Sequence, residues 1–262
     1  MLRAATLASG SSGNCAVVSD GRVHILLDAG ISTRRISQGL KALGLELRHI
    51  AGVLVTHEHT DHVAALPVLC RQMDAPVFTA EGTAYALRDR WRELEERFRV
   101  FAPGQRFAVQ GLEVGTFPTC HDCACPVGFS VTDGKRRLVL CTDTGEVTPQ
   151  IQAGVRGAHT LIGEFNYDPE MLRRGPYPLH LQERIRGSRG HLSNEMGGRL
   201  AAWAAREGAE RVVLAHLSQE NNRPELALEA AKRALAELGL REDADVALTA
   251  APRGEVTDWF EV

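Results

Sequence analysis

The chain has 262 residues, near-equal acidic and basic content and a formal net charge of −3, which excludes a strongly basic nucleic-acid clamp; any polyanion must be met by a local groove containing Arg. No apolar stretch approaches the length of a membrane span, and Met1-Leu2-Arg3-Ala4-Ala5-Thr6 lacks the hydrophobic core of a signal peptide, so a cytoplasmic protein without a membrane partner is expected. Six Cys at irregular positions (15, 70, 120, 123, 125, 141) exclude an evident disulfide framework and read as free thiols or ligands.

Residues 3–8, 15–19 and 23–28 read as short strands joined by Gly and Asp turns, followed by a helix over 33–43 with apolar spacing at Ile36, Leu40 and Leu43. A buried strand over 50–55 runs into His57-Glu58-His59-Thr60-Asp61-His62, after which a helix with Val63, Leu66 and Leu69 carries an early Pro67. A short strand at Val77-Phe78 and a charged amphipathic helix over 81–97 come next. Strands are predicted at 98–101, 106–109, 111–117, 127–132 and 137–142, with Asp133-Gly134 as a tight hairpin signal, and then at 160–165. The stretch 168–192, rich in Arg, Gly and Pro, reads as irregular. Helix 193–208, strand 211–215, helix 224–239 and strand 245–250 close the chain. Strands in both halves with helices outside them suggest an α/β fold of two central sheets and helical outer layers, in one domain spanning 1–262.

The hexapeptide 57–62 packs three imidazoles and two carboxylates into one strand-to-helix turn, which is the chemistry of a metal site. An extended turn points His57 and His59 the same way and sets Asp61 and His62 at the mouth of the next helix, so two adjacent cations are expected rather than one. Glu58 lies between metal-facing positions and is not expected to be a ligand. The remaining candidates each end a strand: His121 follows Val114 to Cys120, Asp143 follows Leu138 to Thr142, and His216 follows Val212 to Ala215. Strand ends on one sheet edge converge, and a carboxylate such as Asp143 can give one oxygen to each of two ions.

This pattern resembles the metallo-β-lactamase-fold hydrolases, and the resemblance spans essentially the whole chain. Ala8-Ser9-Gly10-Ser11-Ser12-Gly13-Asn14, His121-Asp122 with Pro126-Val127-Gly128-Phe129, Gly190-His191-Leu192-Ser193-Asn194 and His216-Leu217-Ser218 with Asn221-Asn222 are similar to the YycJ/WalJ branch. The resemblance implies a four-layer αββα sandwich and 5′-directed exonuclease cleavage of single-stranded DNA. It places His57, His59 and His121 on a first metal and Asp61, His62 and His216 on a second, with Asp143 bridging. Three His on one ion and a carboxylate-richer shell on the other suit two divalent ions, Zn²⁺ or Mn²⁺, whose shared water would be ionised near neutral pH and attack phosphorus in line. Two features depart from the branch: Tyr167 stands where His commonly follows Asn in the segment 164–168, and Cys120, Cys123 and Cys125 surround the third metal His.

Asp61 and His191 are the candidate catalytic residues, His191 because the leaving 3′-oxygen needs a proton. Ser12, Asn14, Asn194 and Asn221 have the composition to touch substrate, although the segment 9–14 also reads as a plain turn and the Asn residues as helix caps. Arg173, Arg174, Arg184, Arg186 and Arg189 form the densest basic segment and offer charge to backbone phosphates, or a solvated loop. A thioester or lactone hydrolase is the alternative, since the same hydroxide attacks carbon or phosphorus; a redox protein is disfavoured because diiron members of the fold typically carry Glu where this chain has His59.

Overall fold

Strands that are apolar on both faces need cover on both sides. The computed structural model, which describes residues 1–262, supplies that cover by stacking two sheets between helices. The chain runs through β1 (Arg3–Ala8), β2 (Cys15–Ser19), β3 (His24–Leu27), α1 (Thr33–Ala42), β4 (Ile50–Leu54), α2 (Thr60–Val63), α3 (Leu66–Gln72), β5 (Val77–Ala80), α4 (Glu81–Arg90) and β6 (Phe98–Phe101). It continues through β7 (Arg106–Val109), β8 (Leu112–Pro118), β9 (Val127–Thr132), β10 (Arg137–Cys141), α5 (Pro149–Val155), β11 (Thr160–Glu164), α6 (Pro169–Arg174) and α7 (Leu179–Arg186). The last elements are α8 (Asn194–Arg206), β12 (Arg211–Ala215), α9 (Pro224–Glu237), β13 (Ala247–Ala250) and β14 (Phe260–Glu261).

One sheet has the order β14-β1-β2-β3-β4-β5-β6 and the other β13-β12-β11-β10-β9-β8-β7. Pairing is parallel from β3 to β6 and from β10 to β13, so the carboxyl ends of these strands gather at one edge of each sheet, where ligands of open α/β sheets bind. Three core layers account for the stacking. Leu26 of β3 packs outward with Ile36, Leu40, Leu66 and Leu69 of α1 and α3. Its neighbours Ile25 and Leu27 face the other way and meet Phe129, Leu140 and Ile162 between the sheets. On β10 the same alternation sends Val139 and Cys141 toward α5, α8 and α9. The result is the αββα sandwich expected from the sequence, and no helix is long and apolar enough to cross a membrane.

Several boundaries differ from the sequence reading. The predicted helix 81–97 breaks at Trp91, whose φ of −144° and ψ of 82° are not helical, and its second half is a 3-10 turn over Arg92–Arg97. The helix after His62 is two pieces, with Pro67 in the first turn of the second. The stretch 168–192 is not irregular throughout, because Asp168 caps α6 and α7 follows Pro178. The Asp133-Gly134 hairpin is looser than a two-residue turn, with Thr132 pairing Arg137 across 133–136.

Candidate metal centre

After β4 the chain leaves regular structure, bends at Glu58 and reaches His59, which caps α2 with φ −63° and ψ 147°, and the first turn of that short helix carries Asp61 and His62. The turn therefore directs its side chains into two groups. His57, His59 and His121 bring one donor atom each within 4.8 Å of one another, and Asp61, His62 and His216 do the same. Asp143 lies between them, grouped with His57 of the first and His62 of the second; its Oδ2 is 3.3 Å from His62 Nε2, and its Oδ1 is 3.8 Å from His121 Nε2. All seven residues singled out from the sequence meet at this point. Glu58 is turned away, accepting the Ala124 amide at 2.7 Å, and so secures the loop behind His121.

Four of the five imidazoles are oriented from behind, while His59 turns its Nδ1 to within 3.2 Å of His121 Nε2. Asp28 Oδ2 accepts from His62 Nδ1 at 2.8 Å, Glu164 Oε1 from His216 Nδ1 at 2.9 Å, and the Gly190 carbonyl from His121 Nδ1 at 2.9 Å. His57 Nδ1 is 3.0 Å from the Thr56 hydroxyl, which in turn donates to Asp28 at 3.0 Å. With Nδ1 engaged as a donor, the neutral ring offers its Nε2 lone pair to the interior, the arrangement of metal-binding His with an outer partner. Asp28 and Glu164 were not singled out from sequence, yet each follows the pattern of the candidate donors: Asp28 directly follows β3 and Glu164 ends β11.

The backbone pays for this convergence. Asp28, Asp143 and His216 have φ of 58°, 56° and 58°, left-handed values that side chains disfavour and that cluster where a site demands a particular direction.

The charge balance is consistent with cation binding. Burial opposes charge on His216, but Asp143, Asp61 and Glu164 raise its pKa to about 10. His62 is likewise raised, against burial, by Asp143 and Asp28. Asp143 is held well below the usual carboxylate range by His216, His62 and His57, although burial alone would raise it. A divalent cation competes for the same nitrogen lone pairs and displaces those protons. The Nε2 of His57 and the Oδ2 of Asp143 are buried without hydrogen-bond partners, donor atoms of the kind a cation would satisfy. The residues present thus fit a two-cation centre, and none of the donor groups includes a cysteine.

Other predicted residues are placed unequally. His191 sits on the rim, a fifth of its side chain exposed, with Nδ1 2.8 Å from Glu164 Oε1 and its ring 4.9 Å from that of His121. Asn14 is buried against Asp61 and His62, whereas Ser12 is exposed with no hydrogen bond to the site. Asn194 and Asn221 do not line the opening. Asn194, at the start of α8, exchanges amide hydrogen bonds with Asn222 at 2.9 and 2.8 Å, and Asn221, in the loop after β12, bonds Ser218; both are buried. Of the basic segment, Arg173 and Arg174 pair with Glu170 and Arg184 pairs with Asp122, while Arg189 donates to the His121 carbonyl at 3.2 and 3.1 Å and pairs with no carboxylate.

Comparison with known proteins agrees with this geometry. Residues 24–217 match the model of the beta-lactamase superfamily domain. The chain is 35% identical over 91% of its length, and 90% of the relative's, to exodeoxyribonuclease YycJ of Bacillus anthracis. It is 32% identical over 84% of its length, and 83% of the relative's, to exodeoxyribonuclease WalJ of Streptococcus pneumoniae. Among solved structures, the metallo-beta-lactamase fold protein YhfI of Bacillus subtilis superposes with a TM-score of 0.73 at 17% identity, covering 98% of both chains.

Proposed function

The chain belongs to the beta-lactamase superfamily, in its YycJ/WalJ branch, and on that premise we propose that this metal-dependent hydrolase is a dinuclear exonuclease that degrades single-stranded DNA from the 5′ end. The observation that carries the reading is the pair of donor triads with Asp143 between them, in a chain alike over nine-tenths of its length to an exodeoxyribonuclease. His57, His59 and His121 would hold one ion and Asp61, His62 and His216 the other, both Zn²⁺ or Mn²⁺. Bound there, such ions would lower the pKa of water and neutralise charge developing on the phosphoryl oxygens.

The protein's own groups supply the rest. With its Nδ1–H directed to the Glu164 carboxylate, His191 has Nε2 left to hold a proton for the departing 3′-oxygen. Arg189, unpaired and fixed by the His121 carbonyl, offers its guanidinium to a backbone phosphate beside the ions. Burial of Asp143 and Glu164 keeps water from screening this array. We place the whole sequence, 1–262, in one catalytic domain, since a shared core joins its two sheets, and we place the protein in the cytoplasm.

Purified protein incubated with Mn²⁺ and single strands labelled at either end should release mononucleotides from the 5′ label first, and a 5′-phosphorylated strand should be distinguished from its 5′-hydroxyl twin. Turnover of a thioester or lactone with no cleavage of any DNA or RNA would replace this reading with the carbonyl hydrolase.

A further inference from the structure

The turn Ser9–Asn14 between β1 and β2 makes contacts that a plain connection does not need. Ser9 Oγ accepts the backbone N–H of His216 at 2.8 Å, and the Asn14 backbone N–H donates to the Asp61 carbonyl at 2.8 Å. The Asn14 carbonyl accepts from Gly30 N–H at 2.8 Å. Three segments meet here so closely that a Cβ on Gly30 would lie 1.6 Å from the Asp61 carbonyl oxygen, and one on Gly13 would lie 2.7 Å from the Gly30 carbonyl oxygen. One short turn thus grips the backbone of two members of the second donor triad, Asp61 and His216.

The Asn14 side chain completes the grip. Its Oδ1 accepts the Gly10 N–H at 2.9 Å, which fixes the amide so that Nδ2 is the end turned toward the triad. Nδ2 stands 3.4 Å from Asp61 Oδ2 and 3.1 Å from His62 Nε2. An imidazole nitrogen engaged with a cation has no lone pair left for an amide, so with His62 ligating, the amide's partners are the Asp61 carboxylate and the Asp61 carbonyl, each at 3.4 Å. Asp61 is a quarter exposed and its helix has only one turn; the other neighbours of its Oδ2, His62 Nε2 and His216 Nε2 at 3.4 Å each, belong to the triad itself, so the Asn14 amide is the partner that reaches this carboxylate from outside it.

We infer that Asn14 is a positioning residue for the second ion, holding the Asp61 carboxylate in the triad, and not a contact for substrate. The inference rests on the reading of Asp61, His62 and His216 as a cation site. Outer partners of this kind typically contribute about 10- to 100-fold in metal affinity.

The test is a titration of the metal-free full chain with Mn²⁺ or Zn²⁺ against a competing chelator, resolving two binding steps. Asn14→Ala is expected to weaken one step by about 10- to 100-fold, leave the other as in the wild type, and recover activity at excess cation with an unchanged KM for oligonucleotide. In an Asp61→Asn background the same substitution should change affinity by no more than about twofold, because its partner is already altered. Should the alanine variant be insoluble, Asn14→Ser, which is too short to reach Asp61, provides the same reading. Two steps at wild-type affinity in Asn14→Ala, or a raised KM with both steps intact, would overturn the role given to Asn14 alone. A wild-type chain that binds no divalent cation would overturn the metal centre itself and the inference with it.

Discussion

Glu164 is fully buried and accepts hydrogen bonds from two imidazoles, His216 within the second triad and His191 on the rim. Removing one of these rings separates their tasks. His191→Ala should lower kcat by about 10²- to 10⁴-fold while leaving metal content unchanged, as for loss of a general acid. Glu164→Gln should lower both, since Oε1 accepts from the two imidazoles and Oε2 from the amides of Thr144 and Leu192, and a glutamine NH2 in either place would face donors; metal analysis beside single-turnover kinetics checks the pair. The clustering of the candidate donors was legible in the sequence because His is scarce and three of ten fall within six residues. Asp28 and Glu164 were less so, since carboxylates are common and only their place at strand ends distinguishes them. Asn14 was legible as a polar residue near the site but not in its direction, which depends on the Gly10 amide and on a Gly30 without a side chain.

Strand positions followed from apolar runs, whereas helices were missed where the signal was a cap and not a period. Asp168 Oδ1 accepts from the amides of Glu170 and Met171 at 3.0 and 2.8 Å, with Pro169 in the first helical turn, yet the six-residue α6 is too short to display a repeat. Asp168→Ala should cost about 1 kcal/mol in denaturant unfolding. The predicted helix 81–97 failed for the opposite reason: its charged pattern continues past Trp91 while the backbone does not. The loop between β9 and β10 supports a test by pH. Burial pushes the Asp133 carboxyl up, but the amides of Arg136 and Lys135 outweigh it and hold the folded pKa below the ordinary value. A depressed carboxyl stabilises above its unfolded pKa and loses that contribution as pH falls through the folded one. The stability difference between wild type and Asp133→Asn should therefore be full above about pH 5 and shrink below about pH 4.

The donors are divided between the two layers: the hexapeptide follows β4 of one sheet, whereas His121, Asp143 and His216 follow β8, β10 and β12 of the other. Ions bound there would link the sheets and favour the folded chain, so chelation should lower the melting temperature, and re-addition of Mn²⁺ or Zn²⁺ should restore it, rising with the logarithm of free cation. An unchanged melting curve in excess chelator would contradict this coupling. The layered architecture itself was readable because both faces of β3 and β10 are apolar, but the register that sets donor against donor was not, being fixed by packing across the whole interior.

Phe129, fully buried between the sheets, lies in that interior and is none of the candidate donors. Because each triad takes donors from both slabs, the thickness of the hydrocarbon filling works as a calliper on its jaws, and ions of different radius ask for different gaps. Thinning it with Phe129→Leu should therefore shift the ratio of Zn²⁺ to Mn²⁺ affinity, making cation preference a trait that can drift through substitutions far from any ligand.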